Sequence, residues 1–134
     1  MISTSTIRMT PLRTEIFALI AQAKHPITAY ELLRQLRASR ANSEPPTVYR
    51  VLDYLQDNRL IHKIANNNTY IVCDKPHKPH LGQIFLCKNC GNSFETHDTN
   101  VINTIKEYAK KNHFHLSQDL IEMTGICHHC TGGE

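Results

Sequence analysis

Two C-x-x-C pairs constrain this chain more than any other feature of its sequence. The first is Cys87-Lys88-Asn89-Cys90, followed by Gly91, and the second is Cys127-His128-His129-Cys130. Two such pairs bring four thiolates to one tetrahedral Zn²⁺, each pair spanning one edge of the tetrahedron. The intervening segment is long enough for a helix and a strand, so the metal would tie the end of a domain to its start. We expect one structural zinc per subunit, bound by Cys87, Cys90, Cys127 and Cys130.

Two other uses of paired cysteines compete with zinc. A thioredoxin-like redox pair needs its C-x-x-C at a strand-to-helix junction with one reactive thiol, whereas here there are two pairs and Phe85-Leu86 indicates a strand. Disulfides are disfavoured without a signal peptide, and Met1–Thr6 has neither a positive start nor an apolar segment. No apolar run approaches the ~20 residues that span a bilayer. We therefore expect a cytoplasmic protein with no membrane partner.

Charge and metal-binding residues are unevenly distributed along the chain. Up to Cys73 there are nine Lys and Arg against five acidic residues, and from Asp74 onward there are six Lys against seven. Seven of the nine histidines and four of the five cysteines follow Asp74. This asymmetry predicts two functions on one chain, with nucleic-acid contact in the basic half. The prolines near 76 and 79 interrupt any regular pattern, which predicts domains at 1–73 and 82–134 joined by a hinge at 74–81.

Helix signals dominate the first half. Thr10-Pro11 is a capped helix start, and Thr28–Glu31 has the hydroxyl and carboxylate spacing of a capping box. A third helix is expected from Thr47 to about Asn58. The β-prone runs Leu60–Ala65 and Thr69–Cys73 flank three asparagines, which indicates a hairpin. Three helices and a hairpin in this order predict a winged helix-turn-helix.

The third helix is the candidate for nucleic-acid contact. Its N-terminal end would enter the major groove and present Thr47, Tyr49 and Arg50, and one arginine can bind guanine O6 and N7 together. A plainer interpretation is a small helical bundle in which Tyr30 and Tyr49 are half-buried surface aromatics. The order of the elements and the basic charge of this half favour DNA.

The second half predicts a small mixed domain. Strands are expected at Leu81–Leu86, Ser93–His97 and Leu116–Met123, with an amphipathic helix at Asn100–Asn112. Few apolar residues are available for a core, so we expect a second copy to complete the domain and the protein to be a homodimer. The predicted fold class is α+β: an N-terminal winged helix-turn-helix domain followed by a small α/β dimerisation domain with a four-cysteine zinc site.

Several motifs resemble those of the Fur family, the bacterial metal-dependent repressors related to the ferric uptake regulator. Arg8–Arg13 is similar to the family's opening motif R-x-T-P-x-R, and Pro46–Arg50 to its recognition-helix motif. The cysteine pairs, with Gly125 ahead of the second, are similar to its structural zinc site. The resemblance runs from Arg8 to Cys130. It implies a cytoplasmic bacterial homodimer that binds AT-rich palindromic operators in double-stranded DNA and represses transcription when metal-loaded, with Tyr30 and Arg50 contacting bases and Arg13 contacting phosphate.

Within this family the zinc uptake regulator branch (Zur) is the most similar. Its regulatory zinc ligands correspond to His62, Cys73, His80 and Glu95, which implies a second zinc per subunit. The chemistry favours the same metal, because one thiolate, two imidazoles and a carboxylate form a four-coordinate shell for Zn²⁺, whereas an Fe²⁺ or Mn²⁺ sensor would gain little from a thiolate. The expected function is zinc-responsive repression of zinc uptake genes.

Three alternatives remain open at this point. The same fold could serve an iron- or peroxide-responsive repressor, or the chain could be a thiol oxidoreductase or a zinc-ribbon interaction module. No nucleophile with an oriented base is evident, so we expect neither an enzyme nor a small organic substrate. Gln118 stands where other members often carry a histidine, which disfavours a third metal site. Four histidines could still assemble one or be unrelated: His77, His97, His113 and His115.

Overall fold

The computed structural model describes residues 7–73, 81–117 and 120–132. The chain divides into two compact units, Met1–Lys78 and Pro79–Glu134. Most of the expected hinge, residues 74–80, lies outside the described residues. In the segments that the structure describes, no helix has the length and apolar character needed to cross a bilayer.

The first unit is a winged helix-turn-helix, as the sequence predicts. In chain order its elements are α1 (Pro11–Gln22), β1 (Ile27–Thr28), α2 (Ala29–Leu36), α3 (Pro45–Asp57), β2 (Ile61–Ile64) and β3 (Thr69–Val72). The strands form one sheet in the order β1-β3-β2.

The starts of the helices follow from capping. The Thr10 hydroxyl accepts the backbone N–H of Arg13 at 3.2 Å, and the Thr28 hydroxyl accepts that of Glu31 at 3.1 Å. Each bond satisfies an amide that has no partner inside its helix. Helix α3 begins at Pro45, two residues before the expected start, because proline suits the first helical position and gives up no hydrogen bond there.

One apolar core holds the three helices and the wing together. The helices contribute their inward-facing aliphatic side chains, and the sheet covers them through Ile61 and Tyr70. Close packing of such side chains fixes the orientation of α3 within the unit. The residues with no measurable exposure from the helices are Ile16, Leu32, Leu36, Leu52 and Leu55.

The wing contains a strand that the sequence did not reveal. Strand β1 pairs antiparallel with β3, with Ile27 opposite Tyr70. Two residues are too few to leave an alternating pattern, which is why only the hairpin was predicted. The hairpin turn closes at Asn68, whose φ of 55° is the left-handed conformation that asparagine tolerates.

The second unit is a three-stranded sheet with one long helix. The elements are β4 (Gly82–Cys87), β5 (Ser93–Thr96), α4 (Thr99–Lys111), β6 (Leu120–Gly125) and a 3-10 turn (His129–Thr131). The strand order is β5-β4-β6, with β4 antiparallel to β5 and parallel to β6. Ile102 is the residue of α4 that is buried.

The boundaries of the last strand differ from the prediction. The sequence predicted a strand over Leu116–Met123, whereas β6 begins at Leu120 and continues to Gly125. Helix α4 ends in a turn at His113, whose φ is 54°, and Leu116 lies in irregular chain with 42% of its surface exposed. Leu116 was predicted to begin the strand because it is an apolar residue after a helix. The pairing of β6 with β4 instead begins at Leu120.

Candidate metal centre and nucleic-acid interface

The strand pairing explains why the two cysteine pairs meet. Strands β4 and β6 run parallel, with Cys87 opposite Gly125. Both strands therefore end at the same edge of the sheet, and each is followed directly by a C-x-x-C loop. The backbone N–H of Lys88 donates to the carbonyl of Gly125 at 2.8 Å, which holds the two loops together.

The four sulfur atoms form a cluster of the size that zinc requires. The ligand atoms of Cys87, Cys90, Cys127 and Cys130 all lie within 4.8 Å of one another, and the Cys90 and Cys127 sulfurs are 3.7 Å apart. Zn–S bonds of about 2.3 Å in tetrahedral geometry place sulfurs about 3.8 Å apart, whereas a disulfide needs about 2.05 Å. All five cysteines are free thiols. The donor set and its spacing fit zinc as the cofactor.

Backbone amides prepare one of these thiols for metal binding. The Cys87 sulfur accepts N–H groups from Asn89 at 3.4 Å, Cys90 at 3.5 Å and Cys127 at 3.3 Å. These bonds, that of Cys90 first, lower the pKa of the Cys87 thiol to about 6. The loop turns at Gly91, whose φ of 80° suits glycine. The thiolate is the metal-binding form, so the folded loop presents a ligand at neutral pH.

The residues predicted for regulatory zinc are divided between the units. His62 and Cys73 belong to the first unit and are buried, with 2% and 3% of their surfaces exposed. Glu95 lies on β5 in the second unit, and His80 lies outside the described residues. Neither unit contains three described members of this set, so the site remains a prediction. Cys73 is not part of the tetrathiolate cluster.

Glu95 has a neighbour that the sequence analysis did not connect with it. The Nε2 atom of His97 lies 3.0 Å from Oε2 of Glu95, and the two side chains are 12% and 8% exposed. The side chain of Glu95 is therefore largely shielded from solvent. The i, i+2 spacing was the available signal, because it directs two strand side chains to one face.

The N-terminal end of α3 presents the side chains predicted for DNA contact. Tyr49 is 51% exposed, Arg50 is exposed and Thr47 is half-buried. Tyr30, at the start of α2, is 76% exposed. Exposed tyrosines of this kind are not required by the core, so the surface is available for a ligand. Their contacts with DNA remain a prediction.

Arg13 is engaged within the first unit. Its guanidinium lies over the Tyr54 ring, 3.6 Å from the centroid, and donates to the Arg8 carbonyl at 2.8 Å. The Arg8 N–H in turn donates to the Tyr54 hydroxyl at 2.6 Å. This network attaches the segment before α1 to α3. The sequence predicts Arg13 as a phosphate contact and gives no signal for its contact with Tyr54.

A winged helix followed by a sheet unit with a tetrathiolate cluster defines a class of metal-binding, DNA-binding regulators. The profile of the ferric uptake regulator family matches residues 4–124. This chain belongs to the ferric uptake regulator family.

Two curated relatives are similar along most of the chain. The zinc uptake regulation protein of Escherichia coli (strain K12) is 35% identical over 125 residues, covering 92% of this chain and 73% of the relative. The zinc uptake regulation protein of Mycobacterium tuberculosis (strain CDC 1551 / Oshkosh) is 30% identical over 131 residues, covering 96% and 98%.

A solved structure described as a zinc uptake regulator complexed with zinc and DNA is similar to this chain with a TM-score of 0.87. The identity is 35%, and the alignment covers 93% of this chain and 84% of that chain. The fold class predicted from the sequence is confirmed.

Proposed function

We propose that this protein is a zinc-responsive transcriptional repressor that binds AT-rich palindromic operators of zinc uptake genes as a metal-loaded homodimer. The observation that carries the proposal is Cys73, a buried thiol at the end of the wing that the tetrathiolate cluster does not use. A sensor of zinc gains from a thiolate ligand, whereas a sensor of Fe²⁺ or Mn²⁺ gains little. Relatives named as zinc uptake regulators support the same metal.

Two zinc ions per subunit have different roles in this proposal. The tetrathiolate cluster holds a structural zinc whose binding free energy stabilises the second unit. The regulatory zinc is bound by His62, Cys73, His80 and Glu95. The first two ligands belong to a DNA-binding domain at 1–73, His80 to a hinge at 74–81, and Glu95 to a dimerisation domain at 82–134.

Coupling between zinc and DNA follows from this distribution of ligands. A metal that binds ligands on both domains favours one angle between them, and in a dimer that angle sets the separation of the two α3 helices. Zinc then raises the affinity for an operator with matching half-sites, and DNA raises the affinity for zinc by the same factor. Phosphate contacts make binding depend steeply on salt concentration.

DNA recognition is assigned to the exposed surface at the start of α3. Arg50 is proposed to read guanine through two hydrogen bonds, and Tyr30 to contact a base, with Thr47 and Tyr49 beside them. The backbone N–H groups at the helix start attract a phosphate oxygen. Arg13 would add a phosphate contact only through the part of its guanidinium that Tyr54 leaves accessible.

The dimer is proposed to form along β6. In the described part of the chain β6 pairs with β4 alone, so its other side is an edge of six residues. Phe85, Phe94 and Met123 form an apolar row across the sheet, and Phe94 and Met123 are 61% and 51% exposed. An unpaired edge beside an exposed apolar row is stabilised by a second copy of the same surface.

The proposal is tested by operator binding against buffered free Zn²⁺, Fe²⁺ and Mn²⁺, with zinc per subunit measured alongside. We expect one zinc that resists chelation and a second whose uptake tracks DNA binding. Cys73→Ser should lose the second zinc and the metal dependence while keeping the first.

The matched control is Val72→Ala, which trims a half-buried neighbour without removing a metal-binding atom. Metal-dependent binding by Cys73→Ser equal to that of the wild type would contradict the zinc sensor. An operator response to Fe²⁺ or Mn²⁺ alone would favour an iron-type sensor of the same fold. Metal-independent binding with a single zinc would contradict sensing altogether.

A further inference from the structure

His97 carries a half-buried imidazole that neither the tetrathiolate cluster nor the proposed regulatory ligand set uses. Its Nε2 atom lies 3.0 Å from Oε2 of Glu95, and 12% of its side chain is exposed. Burying an imidazole and a carboxylate costs free energy unless the two groups serve each other or a ligand. We therefore expect the contact between Glu95 and His97 to have a role in the second unit.

A glycine on the adjacent strand makes room for this pair. A Cβ atom at Gly82 would lie 2.7 Å from Oε2 of Glu95, which is closer than carbon tolerates, and 3.2 Å from Nε2 of His97, which is a tight contact. The φ of Gly82 is not in the left-handed region, where Gly91 and Gly132 are found, so its backbone does not demand glycine. The absence of a side chain at Gly82 instead leaves room for the side chains of Glu95 and His97.

We propose that His97 is the positioning residue for Glu95: its imidazole, with Nε2 3.0 Å from Oε2, restricts the position of the carboxylate that binds the regulatory zinc. The inference rests on the proposed function, in which Glu95 is a zinc ligand. The proposed regulatory zinc already has four protein ligands, which completes its tetrahedral coordination. His97 is therefore assigned the role of orienting a ligand and not of binding the metal. Side chains that contact a metal ligand from outside commonly orient that ligand, and losing one costs about 10–100-fold in metal affinity.

The test is a zinc titration of the full-length chain against a chelator of known affinity, after the structural zinc has been loaded. His97→Leu should weaken the second zinc by about 10–100-fold and leave the first in place. His97→Gln, which keeps a side-chain N–H, should recover most of that loss. His115→Leu, at an exposed histidine of the same unit, is the matched control and should match the wild type.

Cobalt spectra separate positioning from direct ligation. With Co²⁺ in the second site, His97→Gln should keep the band positions of the wild type, because the ligand set is unchanged. Shifted bands, together with a loss as large as that of Glu95→Gln, would make His97 a ligand and overturn the inference. Gly82→Ala offers a second route, since it displaces the pair while keeping both side chains, and it should weaken the second zinc as well.

The remaining outcomes distinguish this inference from the proposed function. A wild type that binds two zinc ions, with His97→Leu unchanged in affinity, contradicts the positioning role alone. A lower melting temperature for His97→Leu without a change in zinc affinity also contradicts the positioning role, because it would show that His97 contributes to stability alone. A wild type that binds a single zinc contradicts the proposed function and the inference with it.

Discussion

The guanidinium of Arg13 lies 3.6 Å from the centroid of the Tyr54 ring and so joins the first turn of α1 to the last turn of α3. A cation–π contact of this kind contributes about 0.5–2 kcal/mol, depending on its exposure. We expect a double-mutant cycle of Arg13→Leu and Tyr54→Leu, measured by urea unfolding of the zinc-loaded protein, to give a coupling free energy of about 1 kcal/mol.

Arg13→Lys separates this structural role from DNA binding. Lysine keeps the charge that attracts phosphate but loses the planar group that stacks on Tyr54. We therefore expect lower stability with little change in the salt dependence of operator binding. Arg13→Leu removes the charge as well, so it should lower the salt slope if Arg13 contacts phosphate, and an unchanged slope would contradict that contact.

Arg50→Ala should reduce both affinity and sequence discrimination. A bidentate arginine–guanine pair contributes about 1–3 kcal/mol of discrimination, so operator variants at that base should become nearly equivalent. Competition binding with single-base operator variants provides the measurement. Lys106→Ala, which removes a charge from α4, is the control. An equal loss of affinity for every operator variant in Arg50→Ala would argue against base reading by Arg50.

The Cys87 thiol should titrate near pH 6 in the metal-free, reduced protein. Its folded pKa of about 6 lies below the ordinary value of 9.0, because N–H groups of Cys90, Cys127 and Asn89 favour the thiolate. The resulting stabilisation is fully present above pH 9 and is lost as the pH falls through about 6. Ultraviolet absorbance of the thiolate, wild type minus Cys87→Ser, measures the titration. A midpoint near the ordinary value would mean that the amides do not hold the loop closed without metal.

Met123→Glu should convert the dimer to a monomer if β6 is the dimer edge. Met123 is 51% exposed on that strand, and a charge there opposes burial against a second copy. Sedimentation velocity measures the association state, and zinc content tests that the cluster survives. Lys110→Glu, on α4, is the control. A Met123→Glu protein that stays dimeric would move the interface elsewhere.

Local chemistry explains what the sequence predicted well. The threonine caps of α1 and α2 and the two cysteine loops depend on residues a few positions apart, so their geometry can be inferred from spacing alone. The winged-helix order was likewise evident, because each helix carries its own apolar face.

Long-range pairing explains what the sequence did not predict. The start of β6 and its parallel pairing with β4 depend on contacts between distant segments. Strand β1 exists only because β3 is available to pair with it. The contact between Glu95 and His97 depends on the space that Gly82 leaves on the neighbouring strand β4. Residue spacing within one strand cannot predict such a space, because it arises from pairing between strands.

The parallel pairing of β4 with β6 also orders events during synthesis. Strand β4 emerges from the ribosome well before β6, so one side of it stays unpaired until the later strand is made. A nascent chain at that stage has two sulfur ligands rather than four and lacks the edge proposed for dimerisation. Neither tight metal binding nor subunit association can precede completion of β6 and the loop after it. Retention of the structural zinc therefore requires a chain that carries both cysteine loops.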